Sequence, residues 1–112
     1  MNRGDVYDAR LSPTEGSEQA GIRPVVIVSR DAINRNSPVV VVVPLTDAAH
    51  VKHSYPNNVF IAAGEGGLSL DSVALGGQVR AMAVSRLLRR RGVLERETMQ
   101  TLDRALRITL DL

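Results

Sequence analysis

Two runs of β-branched residues, Val25-Val26-Ile27-Val28 and Val39 through Val43, constrain this chain more than any other feature. Neither run has a polar face, so both read as central strands buried on two sides. Pro24 and Pro44 stand at their ends, where a missing backbone N–H does least harm. A chain of 112 residues has room for a single domain, 1–112, with one modest core. It has no cysteine, so disulfides, thiolate metal sites and cysteine nucleophiles are excluded together. Stability must then come from packing or from oligomerisation.

The rest of the first two thirds also reads as β structure. Val6 to Leu11 carries apolar residues at 7, 9 and 11, the period of a half-buried strand. Ser12 to Gly21 is polar, broken by Gly and Pro, and forms a long connecting loop. Asp31 to Asn34 suits one helical turn, and the polar stretch from Thr46 to Asn58, with both histidines, reads as a mobile loop. Short strands follow at Val59–Ala62, Ser72–Leu75 and Gln78–Met82. Arg86-Leu87-Leu88-Arg89-Arg90-Arg91 reads as a solvated turn or as a patch for an RNA backbone. Met99, Leu102, Leu106 and Leu110 lie at helical spacing, so Glu97 to about Leu110 is an amphipathic helix. The expected class is mainly β with α: a small, mostly antiparallel barrel or curled sheet closed by a C-terminal helix.

Charge adds one clue. The net charge is only +2, but thirteen of the fourteen basic residues are arginine and Lys52 is the other. Arginine recognises phosphate through a planar, bidentate fork and keeps its charge at any physiological pH. Met1 to Asp5 offers no apolar signal-peptide core. The longest apolar run, Val39 to Leu45, is seven residues against the roughly twenty of a spanning helix. A cytoplasmic protein without a membrane partner is the expectation.

Three segments carry polar residues at the ends of buried runs: Gly16 to Pro24, Val43 to Thr46, and Gln78-Val79-Arg80. A glycine-bracketed loop that feeds an arginine at a strand start suits an anion, because glycines let backbone N–H groups approach a ligand. Pro24 biases Arg23 toward extended backbone, so its side chain projects from a rigid element. Read alone, Arg23 is more simply an ion-pair partner and Thr46 a strand-end cap, and Gln78 could be a surface strand residue. His50 and His53 have the chemistry of an acid–base pair but lie in an unpatterned loop.

Arg3-Gly4-Asp5-Val6-Tyr7, Gly16-Ser17-Glu18-Gln19 with Arg23-Pro24, Asn34, Pro44-Leu45-Thr46, and Gln78-Val79-Arg80 followed by Arg86-Leu87 occur in an order that resembles the MazF/PemK family of toxins. The resemblance covers almost the whole chain. It implies a Src-homology-3-like barrel shared with the CcdB toxins, a homodimer, and a metal-independent endoribonuclease without cofactor that cuts single-stranded RNA at short sequences. It puts the catalytic roles on Arg23 and Thr46. Ser17, Glu18, Gln19, Asn34, Gln78 and Arg80 match positions that bind RNA. It also implies a cognate MazE-like antitoxin with a disordered acidic tail that occupies the RNA groove.

A guanidinium suits charge stabilisation on a phosphoryl group and makes a poor base. The base therefore stays open, with Glu18 as a candidate. Family members often carry an acid before the Gln-Val-Arg segment and another three residues after its arginine; here these are Gly77 and Ala83. Arg80 and Arg86 then lack obvious charge partners. Of the aromatic residues usual on the first strand, only Tyr7 is present. Two alternatives remain: an RNA-binding module with impaired catalysis, and a gyrase poison of the CcdB type. The latter resembles a family that acts through a C-terminal Trp-Gly-Ile tail, and this chain has no tryptophan.

Overall fold

In the computed structural model, which describes all 112 residues, seven strands and two helices follow one another. The strands are β1 (Asp5–Arg10), β2 (Ile22–Ile27), β3 (Val39–Asp47), β4 (Asn58–Ile61), β5 (Ser72–Leu75), β6 (Arg80–Ala83) and β7 (Leu87–Val93). Helix α1 (Asp31–Asn36) joins β2 to β3, and α2 (Arg96–Leu110) follows β7. Every pairing is antiparallel, in the spatial order β4-β5-β3-β2-β1-β7, with β6 also on β3. No helix is long and apolar enough to cross a membrane.

The two β-branched runs lie at the centre, and alternation sends their side chains to opposite faces. Val26, Val43 and Leu45 join Val6, Ile61, Met99 and Leu102 on the face that α2 covers. Val25, Ile27, Val40 and Val42 join Ala9, Leu11 and Met82 on the other. In α2 the stripe is Met99, Leu102 and Ala105 with Leu106 alongside, whereas Leu110 is exposed rather than buried.

Three sequence expectations need correction. Neither proline is at a strand end: Pro24 is the third residue of β2, and β3 continues through Pro44 to Asp47. Val41 takes the Val28 N–H on its carbonyl and gives its own N–H to Ser29 Oγ, so its polar groups face β2. The alternation turns position 44 to the opposite side, where β3 exchanges β6 for β5 as its neighbour and no ladder bond is lost. The arginine-rich segment is not a turn but β7, an edge strand paired to β1. Gly76–Gln78 forms a 3₁₀ turn, and β6 starts only at Arg80.

As a barrel the sheet is not closed by hydrogen bonds, since β4 and β7 do not pair. The 3₁₀ turn Glu65–Gly67, just after β4, instead lies flush against β7. A Cβ on Gly67, whose φ is +71°, would collide with the carbonyl oxygen of Arg91; one on Gly92 would fall 2.7 Å from the carbonyl carbon of Gly66. Glycine at these positions allows backbone to meet backbone where a side chain would force the edges apart.

Candidate functional site

The long loop 12–21 is tied down by side chains that follow β5. Gln78 Oε1 accepts the Gln19 N–H at 2.8 Å, and Gln78 Nε2 donates to the Ser17 carbonyl at 3.3 Å. Arg80 donates to the Leu11 carbonyl at 3.2 Å, and Arg86 to those of Arg10 and Ser12 at 3.0 and 2.7 Å. Ser12 Oγ closes the loop by accepting the Gly21 N–H at 2.8 Å. The arginines without acidic neighbours in sequence thus find backbone carbonyls, which satisfies their N–H groups without neutralising the charge.

The loop delivers the chain to Arg23 near the start of β2. Its side chain is exposed, and its Nε donates to the Ala20 carbonyl at 3.3 Å. Thr46, 8% exposed, sits near the end of β3, opposite Val73 of β5. Both line one cleft of about 180 Å³, with Pro24, Asp47, Ser69 and Arg91 among its walls. A second pocket of about 230 Å³ is lined by Glu18, Gln19, Gln78 and Arg80. A third, of about 470 Å³, shares Gly77 and Gln78 with it and adds His53, Tyr55 and Asn57. Ser17 lies on the exposed loop, where its carbonyl meets Gln78.

Of the expected site residues, the structure therefore brings Arg23 and Thr46 together, and groups Glu18, Gln19, Gln78 and Arg80 around a separate pocket, with Ser17 bonded to Gln78. Asn34 stands apart. It is buried in α1, its Nδ2 donates to the Ser29 carbonyl at 2.9 Å, and its Oδ1 accepts the Ser29 hydroxyl. Glu18, the candidate base, lines the second pocket, and its Oε1 accepts the Glu15 N–H at 3.1 Å. The carboxylate that shares the cleft with Arg23 and Thr46 is Asp47, one oxygen of which accepts the Ala49 N–H at 2.9 Å. Neither His50 nor His53 lines the cleft.

Sequence reading missed Asp47 and placed Arg91 only within an arginine-rich run, not in the cleft. Arg91 is placed in the cleft by β7, and the signal that could have found it is a run of arginines matched by two acids, Asp5 and Asp8, on another candidate strand. Arg89 and Arg91 both bond Asp8, at 3.3 and 3.0 Å, and Arg90 bonds Asp5 at 3.2 Å.

Comparison with known proteins adds the following. A family model described as the PemK-like, MazF-like toxin of type II toxin–antitoxin systems matches residues 2–110. An endoribonuclease MazF of Staphylococcus epidermidis is 43% identical over 112 residues, all of this chain and 92% of that protein. A mycobacterial endoribonuclease solved in complex with its cognate antitoxin superposes with a TM-score of 0.82 at 26% identity, covering 100% of this chain and 96% of that one. The MazF crystal structure from Deinococcus radiodurans shares the fold, with a TM-score of 0.85 at 23% identity over 100% of this chain and 97% of that one.

Proposed function

The chain belongs to the PemK-like, MazF-like family of toxins of type II toxin–antitoxin systems, and on that premise we propose that its Arg23–Thr46 cleft cleaves single-stranded RNA. The ribose 2′-oxygen attacks the neighbouring phosphorus and the P–O5′ bond breaks, leaving a 2′,3′-cyclic phosphate and a 5′-OH. The 2′-OH proton passes to a base, and the leaving oxygen takes one up. Arg23 commits one N–H to Ala20, which leaves four for the phosphoryl oxygens, where charge grows in the transition state. Thr46 is fixed by the β3–β5 ladder and positions the reacting group by hydrogen bonding. Neither role needs a metal ion.

RNA flanking the cut runs over the second pocket, where Glu18, Gln19, Gln78 and Arg80 meet it, with Ser17 on the loop above. The toxin works in the cytoplasm as a homodimer. A MazE-like antitoxin silences it through a disordered acidic tail that competes with RNA for the basic groove. Relatives solved with their antitoxins, from mycobacteria and Deinococcus radiodurans, support this reading.

The observation that carries the proposal is the convergence of Arg23 and Thr46, 23 positions apart in sequence, on one cleft. The test is to incubate the protein with long single-stranded RNA in EDTA and map the new 5′-OH ends. Cleavage is expected, with a loss of roughly 100-fold or more in Arg23→Ala. RNA left intact across diverse sequences refutes the activity; undiminished cleavage by Arg23→Ala refutes the site.

A further inference from the structure

We propose that Arg91 is a second phosphate-binding residue of the cleft, opposing Arg23 across the scissile phosphodiester; this rests on the endoribonuclease reading above. Arg91 lines the same cleft as Arg23 and Thr46, and its side chain is only 17% exposed. Its guanidinium is fixed from three directions. Nη1 donates to Asp8 Oδ1 at 3.0 Å, and Nη2 to the Gly67 carbonyl at 2.9 Å and to Ser69 Oγ at 3.4 Å. Those bonds use three of the five N–H groups and leave Nε–H and one Nη1–H for a ligand.

The cleft suits one phosphodiester. At about 180 Å³ it falls below the roughly 300 Å³ at which pockets for drug-sized ligands begin, so it takes a small group rather than a whole nucleotide. A phosphodiester carries one negative charge, and attack by the 2′-oxygen brings a second onto the phosphorane. Arg23 is exposed with one N–H committed, whereas Arg91 is held rigidly before substrate arrives. Donors that need no reorganisation favour the more highly charged transition state over the bound substrate. Asp8 does not cancel this cation, because its other oxygen is shared with Arg89 at 3.3 Å.

The test is Arg91→Gln, which removes the charge and keeps a polar side chain while Asp8 retains Arg89. The readouts are single-turnover cleavage and, separately, binding of an RNA that carries a 2′-O-methyl at the cut. Cleavage is expected to slow by roughly 10- to 100-fold, with affinity for the uncleavable RNA changed less than about threefold. Arg91→Lys, measured alongside, is expected to recover part of the rate because it restores the charge. Unchanged cleavage, or cleavage and affinity lost by the same factor, overturns the proposal. Equal rates for the Lys and Gln variants do so too. If the unaltered protein cuts no RNA, the activity falls first and this inference falls with it.

Discussion

Gln78 accepts the backbone N–H of Gln19 at 2.8 Å, across 59 positions of sequence, and in doing so fixes the loop that leads into Arg23. With its second bond, to the Ser17 carbonyl, one side chain holds both sides of the Glu18 peptide. Gln78→Ala removes both bonds from a partly exposed site, so the stability change is expected to stay near ~1 kcal/mol. The local effect is larger. Hydrogen exchange at the Gln19 amide is expected to accelerate markedly, while core amides of β2 and β3 keep their protection. Unchanged exchange at Gln19 rules out the clamp.

Gly67 meets β7 so closely that any side chain strikes the Arg91 carbonyl, in a backbone conformation that already disfavours one. Gly67→Ala is expected to destabilise by roughly 2–4 kcal/mol, from left-handed strain plus displacement of the strand edge. Gly16, with φ +58° but nothing within 4 Å of its position, serves as the control. Its alanine variant carries the strain alone and is expected to lose about 1–2 kcal/mol. Denaturant unfolding at fixed protein concentration measures both; equal losses mean that the contact adds nothing.

Asn34 separates fold from function. Its side chain spends both polar atoms on Ser29, whose hydroxyl in turn accepts the Val41 N–H at 3.0 Å, so α1 is latched to β3. Asn34→Ala leaves buried groups of Ser29 without partners and is expected to cost about 1–3 kcal/mol. Cleavage per folded molecule and affinity for RNA are expected to stay at the unaltered level. A selective fall in affinity without loss of stability returns Asn34 to the RNA groove.

What the sequence disclosed and what it hid follow one physical rule. Val25 to Ile27 and Val39 to Val43 were legible because burial on two faces leaves a local signature, and α2 because Met99, Leu102 and Leu106 repeat at helical spacing. Strand β7 was illegible because Leu87 to Val93 is rich in solvated charges until Asp5 and Asp8, some eighty positions earlier, are laid beside it. Resemblance picked out Arg23, Thr46 and Gln78. It offered nothing for Arg91, whose place in the cleft depends on neighbours far away in the chain, nor for Asp47, although Asp47 directly follows Thr46. The same distance explains why Arg80 and Arg86 looked unpaired: their partners are carbonyls, which no side-chain pattern records.

The identity of the base is the last question that geometry can decide. Two carboxylates compete, and they occupy different pockets: Glu18 lies with Gln19 and Gln78, Asp47 with Arg23 and Thr46. A base must come within hydrogen-bond reach of the 2′-OH, directly or through one water, and the proposed site holds the attacked phosphorus at Arg23. Each carboxylate has one oxygen accepting a backbone N–H, Ala49 for Asp47 and Glu15 for Glu18, so what favours Asp47 is the cleft it shares with Arg23 and Thr46. Asp47→Asn keeps the shape and removes the basicity, so single-turnover cleavage is expected to fall roughly 100-fold with RNA affinity retained. Glu18→Gln is expected to change affinity or sequence preference and to leave the rate constant within about threefold. The opposite pattern, a slow Glu18→Gln beside a normal Asp47→Asn, assigns the proton to the loop and requires it to close over the cleft when RNA binds.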